Sequence, residues 1–297
     1  MRNDKVNLFL IGAQKCGTTL LSDLLGSHKE IFVPSIKETY FFCDNRLYDK
    51  GVDWLHREFY SSRAARRAAY RVDATPFYLA SPEATDRIAA YSDEHTRYLI
   101  ILRDPVARAV SAYLHQVRLG YESLPLEDAL AAEPDRIAAS RSEGGRWWRH
   151  AYTEISMYGK HISHAMKVLD KNRLLILWQD ELKDISNVRE KVSDFICVDN
   201  TFSMKQSTHI NSASMPKSIT LRNLTTRENL LKSILRKLIP RETRTRIGRN
   251  IIKFNSRSVD KPPLSKETEY SLNDLFRDDQ ALLDSLGYGP RKMKVRP

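Results

Sequence analysis

A lysine, a glycine and two threonines lie close together near the start of the chain, where side chains and backbone could hold an anion. Lys15, Gly17, Thr18 and Thr19 follow the apolar run 6–11 and precede leucines at helical spacing. At such a strand-to-helix junction several backbone N–H groups point to one place, and the helix dipole adds positive potential. An ammonium group and two hydroxyls would complete the site. The pattern therefore predicts an anion-binding loop.

The position of the lysine separates the kinds of site that this loop could form. Residues 12–19 read GAQKCGTT, which has the glycine spacing of the nucleotide-binding P-loop G-x4-G-K-[ST]. Thr18 stands where that motif has its lysine, and a phosphotransferase needs that lysine and a Mg²⁺ site. A P-loop phosphotransferase and a non-catalytic anion-binding module remain the alternatives. The structural alternative is that Gly17 is needed only for the turn between strand and helix and that the loop binds no anion.

A second candidate phosphate ligand follows another apolar run, 98–102. Arg103 comes directly after it, and Asp104 with Pro105 predicts the start of a helix that places Ser111 two turns along. Arginine offers a bidentate fork for phosphate and keeps its charge at any working pH. Taken alone, Arg103 could equally form a surface ion pair. Together with the first loop it indicates a second phosphate contact.

The two motifs together resemble those of the sulfotransferase family. K-x-G-T-T is similar to the loop that holds the 5'-phosphosulfate of 3'-phosphoadenosine 5'-phosphosulfate (PAPS), and R-[DN]-P-x-x-R-x-x-S to the segment that binds its 3'-phosphate. The resemblance implies an enzyme that uses PAPS and no metal. It also implies a set of PAPS-binding residues: Lys15, Cys16, Gly17, Thr18, Thr19, Arg103 and Ser111.

Between these motifs lies a segment that resembles the K-E-x-x-F-F segment of heparan sulfate sulfotransferases and their bacterial relatives. It contains Lys37 and Glu38, and residues 51–54, 73–76 and 275–279 resemble the same subgroup. The resemblance implies that Glu38 is the general base and that Lys15 stabilises the leaving oxygen. A surface ion pair between Glu38 and Lys37 is the structural alternative.

The same resemblance implies which residues contact the acceptor. These are Lys37, Tyr40 and Asp73. Tyr40 and Ala74 depart from the family pattern, which often has a histidine and a lysine at these two positions. We therefore expect transfer of a sulfuryl group to a hydroxyl or amine of a carbohydrate or glycoconjugate, such as a glycan or glycolipid, rather than of heparan itself.

Short apolar runs alternate with helical patterns along the chain. The runs are 6–11, 98–102 and 174–178, with a weaker one at 69–73. This alternation predicts an α/β fold with three layers, similar to P-loop proteins, in which helices flank a central parallel sheet of four to five strands. Ligands of such sheets bind at the carboxyl ends of the strands. We expect a single domain over 1–297.

Charge is concentrated in one late segment. Residues 217–261 hold 13 Lys and Arg against 3 acidic residues, which is +10 of the net +11 of the 297-residue chain. Within it, 229–239 has an amphipathic helical pattern, which suits a core-facing helix, an anionic membrane surface or a glycan-docking face. We treat 217–261 as an insertion or appendage. An anionic partner is implied, and no nucleic acid is expected.

Composition narrows the class of protein further. Hydrophobic residues make up 41% and charged residues 29%, and no apolar run reaches the roughly 20 residues that span a bilayer. The chain has 3 cysteines without the spacing of a zinc site or a disulfide framework. These features predict a metal-free, cytoplasmic protein that could lie peripherally on the inner face of a membrane.

Overall fold

The computed structural model describes residues 5–203, 214–216, 243, 247, 251, 254, 256–258 and 264–289. Its central sheet has five strands in the order β2-β3-β1-β4-β5, and all neighbouring strands are parallel. The strands are β1 Leu8–Gly12, β2 Ile31–Phe32, β3 Tyr70–Asp73, β4 Arg97–Leu102 and β5 Leu174–Trp178. The predicted α/β fold with a parallel sheet is therefore confirmed. The two-residue strand β2 is too short to be recognised from sequence.

β1 occupies the middle of the sheet because it is apolar along its whole length. Every residue of β1 is buried, and β4 is buried from Tyr98 onward. Strands covered on both faces need such continuous apolar runs. Because β3, β1 and β4 are neighbours and parallel, their carboxyl ends lie at one edge of the sheet. The ends of these three strands and the segments after them carry most of the candidate site residues, whereas Lys37, Glu38 and Tyr40 follow β2.

Eleven α-helices have bounds within the described residues. They are α1 Thr18–Gly26, α2 Asn45–Tyr48, α3 Val52–Phe59, α4 Arg63–Arg67, α5 Pro82–Tyr91, α6 Pro105–Leu119, α7 Leu126–Ala131, α8 Glu133–Ser142, α9 Tyr158–Val168, α10 Ile185–Ile196 and α11 Lys266–Ser285. Short 3-10 helices cover Trp147–Arg149, Glu154–Ser156, Lys171–Arg173 and Gln179–Lys183. No helix in the described part of the chain combines the length and apolar character needed to cross a bilayer.

The chain divides into two compact units. The first comprises Met1–Arg108, Thr153–Gln206 and Glu269–Pro297, and it contains the five-stranded sheet. The second comprises Ala109–Tyr152 and Ser207–Thr268 and includes a strand pair, β6 Ser214–Pro216 with β7 Ser256–Ser258. The expectation of a single domain stays a prediction. Most of the basic segment 217–261, including the helical pattern at 229–239, lies outside the described residues.

The second unit is organised around a buried carboxylate, Glu122. Its oxygens accept from Arg136 Nη1 at 2.6 Å, from the Tyr152 hydroxyl at 2.7 Å and from two backbone N–H groups. Burial alone would raise the pKa of Glu122, but these hydrogen bonds outweigh it and lower the pKa below its usual value. Ala112, Ala129 and Tyr152 form a small apolar core in this unit.

Candidate active site

The loop between β1 and α1 has the strand-to-helix geometry that its sequence predicts. Ala13 N–H donates to the Ile101 carbonyl at 2.8 Å, which holds the start of the loop against β4. Gly17 lies directly before α1 with φ 108°, in the left-handed region that favours glycine. A Cβ on Gly17 would lie 2.6 Å from Leu182 Cδ1. The conformation therefore favours glycine at this position, and a side chain here would also force Leu182 to move.

The loop carries positive potential from three sources. The first N–H groups of α1 have no acceptor within the helix. Lys15 is half-buried within the loop at φ 70°, and its carbonyl accepts from Arg103 Nη1 at 3.4 Å. The guanidinium that follows β4 therefore contacts the backbone of the loop that follows β1. This set of groups fits the phosphosulfate and phosphate groups of PAPS, because N–H groups, an ammonium and a guanidinium all donate to anionic oxygens.

Cys16 has its thiol in the core. The residue is fully buried, and its Sγ lies 3.4 Å from the Tyr158 hydroxyl. Burial raises the pKa of the Cys16 thiol to about 11, so the thiol is protonated at neutral pH. Its backbone N–H donates to the Ala13 carbonyl at 3.2 Å. The predicted role of Cys16 in PAPS binding stays a prediction, and the buried thiol serves packing.

Arg103 and Ser111 occupy the positions that the sequence assigns to them along the chain. Arg103 follows β4 directly, and Asp104 Oδ1 accepts from Ala107 N–H at 2.7 Å, the N-cap interaction that starts α6. Ser111 lies two turns into α6 and is half-buried. Ser111 belongs to the second compact unit and Arg103 to the first. A joint role in binding a 3'-phosphate stays a prediction.

The segment that contains Glu38 approaches the phosphate loop through Lys37. Lys37 Nζ donates to Thr19 Oγ1 at 3.2 Å and lies 4.0 Å from Glu38 Oε1. Glu38 Oε2 accepts from the Tyr40 hydroxyl at 2.6 Å. The side chain of Glu38 is 31% exposed. The Glu38 carboxylate is therefore held by the Tyr40 hydroxyl and is also accessible to solvent. The structure thus brings Glu38, Lys37 and Tyr40 together beside the first turn of α1.

Asp73 lies at the end of β3 and has no exposed surface. Its carboxylate accepts from Thr39 Oγ1 at 2.5 Å, Thr75 Oγ1 at 2.7 Å and the Tyr78 hydroxyl at 2.9 Å. Burial raises the pKa of Asp73 to about 6, although each of these hydrogen bonds favours the ionised form. Direct contact between Asp73 and an acceptor stays a prediction. In this conformation the carboxylate contacts protein groups.

Sequence reasoning missed the hydroxyl groups around Asp73 and the side chains that enclose the loop. Thr39 and Tyr78 were not identified, and neither were Leu182 beside Gly17 and Tyr158 beside Cys16. The one available signal was the density of hydroxyl residues immediately after Asp73 and next to Glu38. In the described residues, no group of three His, Cys, Asp or Glu side chains is arranged to hold a metal ion.

Comparisons with known proteins identify the family of the chain. The family model of the sulfotransferase domain matches residues 5–229. Heparan sulfate glucosamine 3-O-sulfotransferase 3B1 of Homo sapiens is 28% identical over 190 residues, which are 63% of this chain and 45% of that protein. Membrane-associated sulfotransferase kil1 of Dictyostelium discoideum is 33% identical over 107 residues, 36% of this chain and 22% of that protein. The chain thus spans less than half of these relatives.

A solved structure resembles the whole chain. The sulfotransferase from Alicyclobacillus acidocaldarius matches with a TM-score of 0.66 and covers 96% of this chain and 97% of its own. The sequence identity is 23%, so this likeness concerns the fold. It agrees with the parallel five-stranded sheet flanked by helices.

Proposed function

This chain belongs to the sulfotransferase family, and we propose that it transfers a sulfuryl group from PAPS to a hydroxyl or amine of a carbohydrate or glycoconjugate acceptor. The observation that carries the proposal is the adjacency of Lys15, Arg103 and the N-terminus of α1 to a segment that presents Glu38. The heparan sulfate enzymes among its relatives support a glycan acceptor. A phosphotransferase would need a lysine at the position of Thr18.

When bound, PAPS supplies the sulfuryl group and a nucleotide leaving group. Sulfuryl transfer resembles phosphoryl transfer, in which alignment and charge neutralisation supply most of the catalysis. Lys15 and the N–H groups of Gly17 to Thr19 would neutralise charge on the oxygen that leaves. Glu38 would take the proton of the acceptor. Lys37 and Tyr40 lie next to the two carboxylate oxygens of Glu38 and would hold the carboxylate in place for this proton transfer.

Replacement of the base tests the proposal. Glu38→Gln keeps shape but removes basicity, so we expect kcat to fall by about 10²–10⁴-fold, typical of a lost general base. Affinity for PAPS should hold or improve, because the lost charge repels an anionic cosubstrate. Transfer of ³⁵S from labelled PAPS to a panel of glycans, glycolipids and phenols gives the rates. Calorimetry gives the affinity.

A matched carboxylate provides the control. Glu83 is exposed on α5, and Glu83→Gln should leave both the rate and the melting temperature unchanged. If Glu38→Gln instead lowers the melting temperature and leaves the rate within a few-fold, Glu38 is a structural ion pair. A wild-type chain that transfers no sulfuryl group to any acceptor class would refute the proposed function itself.

We also propose that the basic segment 217–261 brings the chain to an anionic surface, the cytoplasmic face of a membrane. The charge of +10 in this segment supports the proposal, as does the relative named as membrane-associated. Sedimentation with vesicles of phosphatidylserine and phosphatidylcholine at low salt should pull down the wild type. Neutralising Arg236, Lys237 and Arg241 should abolish binding, whereas neutralising three exposed arginines of α4 should not; these are Arg63, Arg66 and Arg67. No sedimentation at low salt contradicts the membrane contact.

A further inference from the structure

Four consecutive backbone N–H groups follow Glu38, and all four are bonded to the same small group of oxygens. Thr39 N–H donates to the Asp73 carboxylate. Tyr40 N–H donates to Thr75 Oγ1 at 3.2 Å, Phe41 N–H to Thr39 Oγ1 at 3.2 Å and Phe42 N–H to the Tyr78 hydroxyl at 3.4 Å. Consecutive N–H groups that converge in this way fix the path of the backbone.

The three hydroxyls that accept these bonds all donate to Asp73. Each hydroxyl has one proton, and a carboxylate accepts hydrogen bonds without donating any. An ionised Asp73 therefore directs the protons of Thr39, Thr75 and Tyr78 toward itself and leaves their lone pairs for the backbone. We call Asp73, Thr39, Thr75 and Tyr78 the carboxylate hub. All four residues are buried, and the Asp73 carboxylate contacts protein groups.

The backbone held by the carboxylate hub has a conformation that needs support. Tyr40 has φ 58°, which a bulky residue adopts only when its surroundings impose it. This conformation lets the Tyr40 hydroxyl reach back to Glu38 Oε2 at 2.6 Å. On the other side of Glu38, the Lys37 carbonyl accepts from Ala74 N–H at 2.9 Å. The end of β3 thus anchors the chain both before and after the proposed base.

We propose that Asp73, through the carboxylate hub, is a positioning residue that holds Glu38 and Tyr40 in their reactive arrangement. The inference rests on the proposed function, because Glu38 must act on the acceptor for its position to matter. Asp73 touches no reacting atom. Its contribution is the orientation of a base from which three helices, α2 to α4, separate it in sequence. Small misplacements of such a group lower the rate strongly.

Paired substitutions at Thr39 test the proposal without removing a buried charge. Thr39→Val removes the hydroxyl and should lower kcat by about 10-fold or more, whereas Thr39→Ser keeps the hydroxyl and should restore most of the rate. The dissociation constant of 3',5'-ADP should stay within about two-fold for both, because the phosphate loop is unchanged. Thr85→Val is the matched control, since Thr85 is equally buried but lies on α5 outside the carboxylate hub. It should leave kcat unchanged.

A double-variant cycle asks whether Asp73 acts through Glu38. Asp73→Asn alone should lower kcat as Thr39→Val does. In a Glu38→Gln background it should have little further effect, because the group that it positions is already gone. Additive losses in this cycle overturn the proposal, and so does full activity of Thr39→Val in a folded protein. If Asp73→Asn does not fold, the comparison of Thr39→Val with Thr39→Ser and a double-variant cycle of Thr39→Val with Glu38→Gln test the same proposal.

The outcomes also separate this inference from the proposed function. If the wild type transfers sulfuryl groups and Glu38→Gln is impaired while Thr39→Val is not, the inference fails and the proposed function stands. If Glu38→Gln keeps full activity, Glu38 is not the base, and the inference fails with it. Near-complete rescue by Thr39→Ser with loss in Thr39→Val supports the positioning role, since it requires the hydroxyl rather than bulk.

Discussion

Lys15 and Arg103 are neighbouring basic residues with different expected partners. Arg103 Nη1 donates to the Lys15 carbonyl. The two residues follow different strands, β4 and β1, and belong to one proposed anion-binding region. Lys15 belongs to the loop around the helix N-terminus, where the 5'-phosphosulfate is proposed to bind. Arg103 follows the next strand, β4, and a guanidinium suits the 3'-phosphate of PAPS. This phosphate is present in 3',5'-ADP and absent from 5'-AMP.

This difference predicts that one variant loses affinity for one nucleotide selectively and that the other variant loses affinity for both. Arg103→Ala should weaken binding of 3',5'-ADP by about 10–150-fold, the cost of one lost charge-assisted hydrogen bond, and should change 5'-AMP binding little. Lys15→Ala should weaken both nucleotides to a similar degree, because each carries a 5'-phosphate. Isothermal titration of both nucleotides against both variants gives the four constants. Equal losses for the two nucleotides in Arg103→Ala would show that Arg103 does not contact the 3'-phosphate.

At the scale of elements, the packing of α9 against α11 depends on a close contact between Gly159 and Asp279. Asp279 of α11 accepts from the backbone N–H groups of Gly159 and Lys160 at 2.8 Å each, which satisfies unpaired donors at the N-terminus of α9. A Cβ on Gly159 would lie 2.3 Å from the Asp279 carbonyl oxygen. The helices can therefore meet here only if the residue is glycine. Asp279 also lies in the stretch 275–279, which resembles the family without an evident chemical role.

Two variants measure this contact. Gly159→Ala should destabilise the protein by about 1–3 kcal/mol through overpacking against backbone that cannot move aside. Asp279→Ala should cost about 0.5–2 kcal/mol through loss of the cap. Urea unfolding gives both values. Gly26→Ala is the control, because its Cβ would meet Val33 Cγ2 at 3.4 Å, an ordinary contact, and it should change stability little.

At the scale of the whole molecule, Asp73 links stability to pH. Burial raises its pKa from 3.8 to about 6 in the folded protein, so the folded state holds this proton more tightly than the unfolded state does. The resulting contribution to stability is complete below about pH 4 and is lost as pH rises through about 6. Tyr60, Tyr78 and Tyr91 feel the same charge, and burial raises their pKa values, so they stay neutral in this range.

Asp73→Asn should remove this dependence. From about pH 5 to about pH 8 the wild type should lose about 1.4 kcal/mol of unfolding free energy that the variant does not lose. Urea titrations of both proteins at the two pH values give the difference. Asp49→Asn at an exposed position is the control and should follow the wild type. Parallel curves for wild type and Asp73→Asn would show that Asp73 does not titrate between the two pH values.

Local patterns in the sequence were sufficient for four of the five sheet strands, for the strand-to-helix loop and for the family. β5 runs from Leu174 to Trp178 as predicted, and α1 covers Thr18–Gly26, because continuous apolar runs and helical leucine spacing are properties of neighbouring residues. The order of Lys15, Gly17, Thr18 and Thr19 along a strand-to-helix turn also needs no distant partner. The family match over 5–229 confirms the predicted family, and the roles of these loop residues stay predictions.

Only the tertiary structure shows which of the candidate site residues lie close to one another. The strand order places β1 between β3 and β4. Asp73 at the end of β3 and Arg103 just after β4 are far apart in sequence, and their strands flank the strand that leads into the phosphate loop. No local pattern contains that order. The same holds for one member of the carboxylate hub: Thr39 reaches Asp73 only because the segment after Glu38 folds back onto the end of β3, whereas Thr75 and Tyr78 are near Asp73 in the chain. Burial of a polar group is a property of everything packed around it, and so the role of Asp73 could not be derived from its own neighbours in the chain.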